Sequence, residues 1–165
     1  MAEVGFGVGS NVGDKLANIR SAFAGLFAGP EVRFVAASAV YRTEPWGYAD
    51  QDWFANACAV GETDLAPDEL LAFTQGLERA LGRAPTFRWG PRLIDIDLLY
   101  CGGVAMETER LTLPHPRLFE RAFALLPLVE IRPGLVLGGR TVAAAAAALA
   151  SPPLECLAPP WSPAE

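Results

Sequence analysis

Two aspartates spaced two apart, Asp95 and Asp97, lie just downstream of Arg83 and of the run Arg88-Trp89-Gly90-Pro91-Arg92. The stretch 93–100 reads as a strand, with Ile94, Ile96 and Leu98 alternating with the two carboxylates. Side chains two apart in a strand share a face and stand roughly 6–7 Å from each other along the chain. Hard divalent cations take oxygen ligands, and Mg²⁺ commonly combines one or two carboxylates with nucleotide phosphates. Two such carboxylates can share two ions that clamp a polyphosphate. An isolated Asp-x-Asp is ordinarily a solvated strand face. Here two like charges in a strand cost stability unless a cation sits between them, and the arginines upstream supply guanidinium forks that fit phosphate oxygens. The chemistry this pattern suits is Mg²⁺-assisted movement of phosphate groups from a nucleotide.

A second constellation lies at 53–61, a strand whose alternation puts Phe54, Asn56 and Cys58 on one face. An amide in mid-strand beside an aromatic ring suits either a satisfied core asparagine or a heterocycle held by its polar edge and stacked on Phe54 and Trp89. Leu71, Gln75 and Glu78 form a stripe at helical spacing. His115, the single histidine, is flanked by Pro114 and Pro116, with Arg117 and Arg121 close by. Gly9-Ser10-Asn11 most simply turns the chain and caps a helix; it lacks the Walker pattern of a P-loop.

The elements that must carry these residues follow from periodicity. Residues 2–8 read as a strand, followed by a helix with Leu16, Ile19, Phe23 and Phe27 at helical spacing, stopped at Gly29-Pro30. Residues 32–42 read as one strand and Thr43 to Asp52 as a long connection. Pro67, Asp68 and Glu69 open a helix running to about Gly82. Helical pieces are expected around 116–130, and the alanine run 143–148 predicts one more helix. The order strand, helix, strand, strand, helix, strand is that of an α+β ferredoxin-like sandwich, a βαββαβ core with an antiparallel sheet and additional C-terminal helices. One domain is expected over 1–150, with a Pro-rich tail, extended or frayed, over 151–165.

With 165 residues, 52% of them hydrophobic, the chain has ample material for a packed core. A net charge of −6 disfavours nucleic acid as a partner. No apolar run approaches a membrane span, and the N-terminus has no secretory pattern. Cys58, Cys101 and Cys156 match no zinc spacing and read as reduced thiols, which places the chain in the cytoplasm.

These residues together carry a resemblance. The chain resembles the 6-hydroxymethyl-7,8-dihydropterin pyrophosphokinase family, folate-pathway enzymes that transfer diphosphate from ATP to a pterin alcohol. The match runs from Gly7-Val8-Gly9-Ser10-Asn11 through Tyr41-Arg42-Thr43-Glu44-Pro45, Phe54-Ala55-Asn56-Ala57 and Glu78 to Arg83. It continues through Arg88-Trp89-Gly90-Pro91-Arg92-x-x-Asp95-x-Asp97 and closes at Pro114-His115-Pro116-Arg117. Ala84-Pro85-Thr86-Phe87 and Pro116 depart from the pattern, since some relatives carry extra basic residues and a tyrosine there.

The resemblance implies two Mg²⁺ ions on Asp95 and Asp97, with Arg83 and Arg92 on the transferring phosphates and Asp97 placed to assist proton removal. It implies a pterin site from Thr43, Pro45, Trp46, Phe54, Asn56, Trp89 and Phe123. The ATP side would be lined by Leu71, Gln75, Glu78, Arg83, Arg88, Arg92, Leu98, Arg110, Thr112, His115 and Arg121. A monomer acting on ATP and a reduced pterin is expected, with residues 83–92 as a loop that closes over bound nucleotide. Two other readings fit the sandwich: a non-catalytic ferredoxin-like module that binds a small ligand or senses a metal, and a metal-dependent phosphohydrolase.

Overall fold

Val4, Phe6 and Val8 are fully buried, while the residues alternating with them, Gly5, Gly7 and Gly9, carry no side chain. In a computed structural model, which describes residues 1–45, 50–83 and 91–163, this alternation makes the central strand β1 (Ala2–Ser10). Its apolar face looks onto two helices and its bare face onto a cavity. Helix α1 (Lys15–Phe27) starts where Asp14 accepts the Ala17 N–H at 3.1 Å, and it buries Ile19, Ala22, Phe23 and Leu26. Two strands follow, β2 (Arg33–Ala37) and β3 (Val40–Thr43), then the long β4 (Phe54–Thr63). Helix α2 (Pro67–Ala80) opens at Pro67, with the Glu69 carboxylate accepting the Ala66 N–H at 2.9 Å. It lies close to α1, because a Cβ on Gly25 would stand 2.5 Å from Leu77.

The strand β5 (Asp95–Cys101) completes this core. A small hairpin, β6 (Met106–Glu107) with β7 (Thr112–Leu113), and a 3₁₀ turn at Leu118–Glu120 lead to α3 (Ala122–Ile131). A second hairpin, β8 (Val136–Leu137) with β9 (Arg140–Thr141), precedes α4 (Val142–Leu149) and the final strand β10 (Glu155–Ala158). The main sheet runs β10-β3-β4-β1-β5, with β2 also on β4, and every described pairing is antiparallel. Buried residues of α1 and α2 fill one face, and α3 with α4 packs on Cys58, Val60, Leu99 and Tyr100 of the other.

One expectation needs correction. The single strand expected over 32–42 breaks at Ser38-Ala39. Ser38 is completely buried, and its hydroxyl takes the place of a ladder carbonyl by accepting the Cys58 N–H at 2.9 Å. The Ala39 N–H leaves the sheet to donate to Glu130 of α3 at 2.9 Å, and Tyr41 bonds the same carboxylate. The chain therefore pairs with one half of β4 as β2 and with the other as β3. Of the two states expected for the C-terminal tail, extended or frayed, its described residues show the extended one. Its β10 pairs with β3, and Trp161 stacks on Phe27 with ring centres 6.0 Å apart while also contacting Phe23 and Phe34.

Candidate active site

Register places the chemistry. On β5 and β1, Asp95 lies opposite Gly9 and Asp97 opposite Gly7; on β1 and β4, the same glycines face Asn56 and Cys58. Paired residues in an antiparallel ladder project to the same side. The two carboxylates and Asn56 therefore rise from one face of the sheet, with a strip of bare backbone between them. A Cβ on Gly9 would stand 2.5 Å from Asn56 Oδ1, so only glycine lets that amide lie over β1. The result is a cavity of about 400 Å³ floored by Gly7 and Gly9.

On the β4 side, Thr43, Phe54, Asn56 and Phe123 line the cavity. Asn56 is 7% exposed and donates from Nδ2 to Thr43 Oγ1 at 2.6 Å. The bond to the end of β3 fixes the direction of the amide while its edge still borders the cavity. On the β5 side, Arg83 Nη1 donates to Glu78 Oε2 at 2.6 Å and to Asp95 Oδ1 at 3.1 Å. Glu78 also accepts the Ile96 N–H at 2.8 Å, so this α2 carboxylate ties helix, strand and arginine together. His115 and Arg121 close a third wall. The His115 N–H donates to the Leu99 carbonyl at 2.8 Å, and His115 Nδ1 accepts the Arg117 N–H at 3.2 Å. Arg121, buried, lies over the Phe123 ring.

Withdrawal from water shapes the charges. Burial, and then the neighbouring Asp97, push the Asp95 carboxyl up to about 6. Asp97 is also raised by burial, against the pull of Arg121. Burial raises Glu78, although the Ile96 N–H and Arg83 hold it back. Burial, reinforced by Arg121, lowers His115 to about 4, so at neutral pH it is an uncharged imidazole. Two carboxylates held above their ordinary range beside arginines are poised for a cation and an anion together.

Asp95, Asp97, Arg83, Arg92, Thr43, Phe54, Asn56, Phe123, Leu71, Gln75, Glu78, His115 and Arg121 thus meet at one cavity. Four other expected site residues do not line it. Leu98 points to the opposite face and is buried in the core beneath α1 and α2, because the alternation that exposes Asp97 must bury its neighbour. Arg110 and Thr112 belong to the β6–β7 segment. Pro45 borders an adjoining cavity that shares Thr43, Glu44 and Phe123. Trp46, Arg88 and Trp89, and most of the loop expected at 83–92, lie outside the described residues. Sequence reasoning missed the floor itself. Glycine at 5, 7 and 9 recurs with the period of a strand, a signal that one face of β1 was kept bare.

A family model described as 7,8-dihydro-6-hydroxymethylpterin-pyrophosphokinase matches residues 5–133. The chain is 52% identical over 149 residues to the 2-amino-4-hydroxy-6-hydroxymethyldihydropteridine pyrophosphokinase of Methylorubrum extorquens, covering 90% of this chain and 94% of that one. It is 45% identical over 124 residues to the Bacillus subtilis protein of the same name, covering 75% and 74%. Among solved structures, an HPPK-DHPS in complex with substrates is similar at a TM-score of 0.73 and 12% identity, over 89% of this chain and 43% of that one. Plasmodium falciparum HPPK-DHPS with SDX-DHP gives 0.69 at 14% identity, over 90% and 43%. The chain spans less than half the length of those HPPK-DHPS chains, and at such identity the likeness is one of fold.

Proposed function

The chain belongs to the 7,8-dihydro-6-hydroxymethylpterin-pyrophosphokinase family, and we propose that the cavity between β5 and β4 is where its diphosphate transfer takes place. The reaction moves diphosphate from ATP to 6-hydroxymethyl-7,8-dihydropterin in folate synthesis, giving AMP and the pterin diphosphate. A non-catalytic sensor and a phosphohydrolase are thereby set aside.

The observation that carries the site is the shared face: Asp95 and Asp97 stand across two glycines from Asn56. A pterin is a flat heterocycle with a polar edge, which suits the Asn56 amide beside the Phe54 and Phe123 rings. Its hydroxymethyl group would then point over Gly7 and Gly9 toward the carboxylates. ATP would enter from the side of Leu71, Gln75 and His115, its phosphates meeting Arg83, Arg92 and Arg121. Neutral His115 suits a hydrogen bond to the nucleotide, where an imidazolium would be repelled by the arginines.

Asp95 and Asp97 fit Mg²⁺: both are oxygen donors on one face, and burial holds both carboxyls above their ordinary range. No cluster of three or more acidic, histidine or cysteine ligands occurs among the described residues, so phosphate oxygens and water would complete the coordination. Bound there, Mg²⁺ supplies charge neutralisation on the transferring phosphates. The chain's own part is to place the pterin hydroxyl in line with the β-phosphorus, to hold developing charge with guanidinium donors, and to keep water out. Arg83, now spanning Glu78 and Asp95, would turn its fork to phosphate when a cation takes its place. Asp97, opposite Gly7, would receive the hydroxyl proton.

The sheet order β5-β1-β4, with β2 and β3 beyond, supports the ferredoxin-like description. Exposed large hydrophobics among the described residues are scattered at Met1, Val12, Val104 and Val136, which supports a monomer. Free thiols at Cys58, Cys101 and Cys156 support a reducing compartment. The deciding assay resolves products after incubation with ATP, Mg²⁺ and the reduced pterin alcohol. Wild type should release AMP, and Asp97→Asn should lower the rate by orders of magnitude. AMP release by Asp97→Asn at the wild-type rate would refute the assignment.

A further inference from the structure

The family model ends at residue 133, yet the chain beyond it returns to the neighbourhood of the cavity. Ala150 leaves α4 at a left-handed φ of 49°, and the tail then runs along the edge of the main sheet as β10. Its Glu155 lies opposite Arg42 and its Cys156 opposite Tyr41 of β3. One strand further in, Tyr41 lies opposite Asn56 and Thr43 opposite Phe54. Cys156, Tyr41, Asn56, Gly9 and Asp95 therefore form one row across five strands, from the tail to the acidic wall.

The strand between tail and cavity is short. β3 has four residues, follows the break at Ser38-Ala39, and pairs with β4 only at Tyr41, Arg42 and Thr43; Ala39 and Tyr41 add bonds to Glu130. Without β10 it would be the edge of the sheet, with a neighbouring strand on one side only. Thr43 ends β3, and its Oγ1 accepts the bond from Asn56 Nδ2 that directs the amide. The tail itself spans both layers. Ser151 to Glu155 border the adjoining cavity together with Thr43, Pro45 and Phe123. Leu157, Ala158 and Trp161 pack into the core beside α1, where Trp161 meets Phe23, Phe27 and Phe34.

We propose that the C-terminal tail is a positioning element for the pterin: β10, anchored by Trp161, holds β3 so that Thr43 keeps the Asn56 amide aimed at its ligand. A β3 already fixed by a strand on each side does not have to be ordered when the pterin arrives, and that preorganisation appears as affinity. When the strap loosens, the Thr43 hydroxyl moves away, the amide turns, and the polar edge of the heterocycle loses its partner. The nucleotide side stands on α2 and β5, which the tail does not pair with. The inference rests on the assignment of the pterin to the Asn56 wall.

The test uses the full chain, titrated calorimetrically with an α,β-methylene ATP analogue and Mg²⁺, and then with the reduced pterin alcohol while that analogue is saturating. Trp161→Ala removes the anchor, so the β10 amides should exchange hydrogen faster. Pterin affinity should fall at least about fivefold, the scale of one net hydrogen bond, with analogue affinity unchanged. Trp161→Phe keeps a ring on the three phenylalanines and should restore pterin affinity. Thr43→Val cuts the same route closer to the ligand. On that background Trp161→Ala should weaken pterin binding little further, because both act through one bond. Leu157→Ala loosens the strap more gently and decides the matter if Trp161→Ala melts well below wild type. The proposal is overturned by β10 exchange as slow as in wild type, or by wild-type pterin affinity once β10 exchanges freely. Equal losses for both ligands, or a full further loss on the Thr43→Val background, overturn it too. Should Asn56→Ala bind pterin as wild type does, the pterin-wall assignment fails and takes the strap with it. If Asn56→Ala loses pterin affinity while the tail variants keep it, the strap alone falls.

Discussion

Arg83 holds Asp95 through a 3.1 Å ion pair while the same nitrogen lies 2.6 Å from Glu78. The guanidinium does not fully compensate the carboxylate, for burial and Asp97 still hold Asp95 up at about 6. A folded-state value above the ordinary 3.9 or so means that the fold favours protonated Asp95. Its contribution to stability is fully present below the unfolded value and is lost as pH rises through about 6.

Chelator-treated wild type should therefore lose stability between pH 4 and 7 relative to Asp95→Asn. The side chain is 34% exposed, so solvent screening reduces the expected difference to about 1–2 kcal/mol. At pH 7.5 the variant should equal or exceed wild type without metal, yet lose most of the melting shift that Mg²⁺ and nucleotide confer. Denaturant midpoints at both pH values check this, and parallel pH profiles for the two proteins would contradict it.

His115 should slope the other way. Its folded value of about 4 lies below the ordinary 6.5 or so, so its contribution is present above the unfolded value and fades as pH falls from there through about 4. His115→Asn retains an acceptor for the Arg117 N–H and cannot titrate. The difference between wild type and variant should grow by about 2 kcal/mol in the variant's favour from pH 7 to pH 4. A difference that stays flat over that range would rule out the buried neutral imidazole.

Asn56→Ala should weaken pterin binding by about 1–3 kcal/mol and leave nucleotide binding nearly unchanged. The Asn56 amide bonds Thr43 and borders the cavity on the wall away from Arg83. Separate calorimetric titrations with each ligand check it; equal losses for both would remove Asn56 from the pterin wall.

Glu78 offers a different contrast. Glu78→Gln keeps an acceptor for the Ile96 N–H but gives up the charge that holds Arg83. Glu78→Ala strands a buried N–H at the start of β5, costing about 1–3 kcal/mol. Thermal melts should rank wild type, then glutamine, then alanine, and both variants should turn over more slowly because Arg83 is less well placed. Wild-type turnover in Glu78→Gln would reduce this residue to a structural clip.

Part of this molecule was legible in the chain alone. Alternation at 94–98 put Asp95 and Asp97 on one face and Ile96 and Leu98 on the other, and periods of two and 3.6 located β1, α1, β4 and α2 closely. Those signals are local: each residue's neighbour two or four places away decides the face it shows. The same rule turns the Leu98 side chain into the core.

What the tertiary structure decided was everything that depends on residues far apart in sequence. The break at Ser38 depends on a hydroxyl meeting Cys58 of β4, 20 residues on, and on Glu130 of α3, 91 residues beyond Ala39. The docking of the tail depends on Trp161 finding three phenylalanines of α1 and β2. Asn11, read in sequence as a turn residue, proves to bond segments 40 and 81 residues away with one amide. No periodicity encodes such a meeting. Hydrogen-bond partners in a folded chain are assigned by sheet register and helix packing, which bring together groups whose sequence separation carries no pattern of its own.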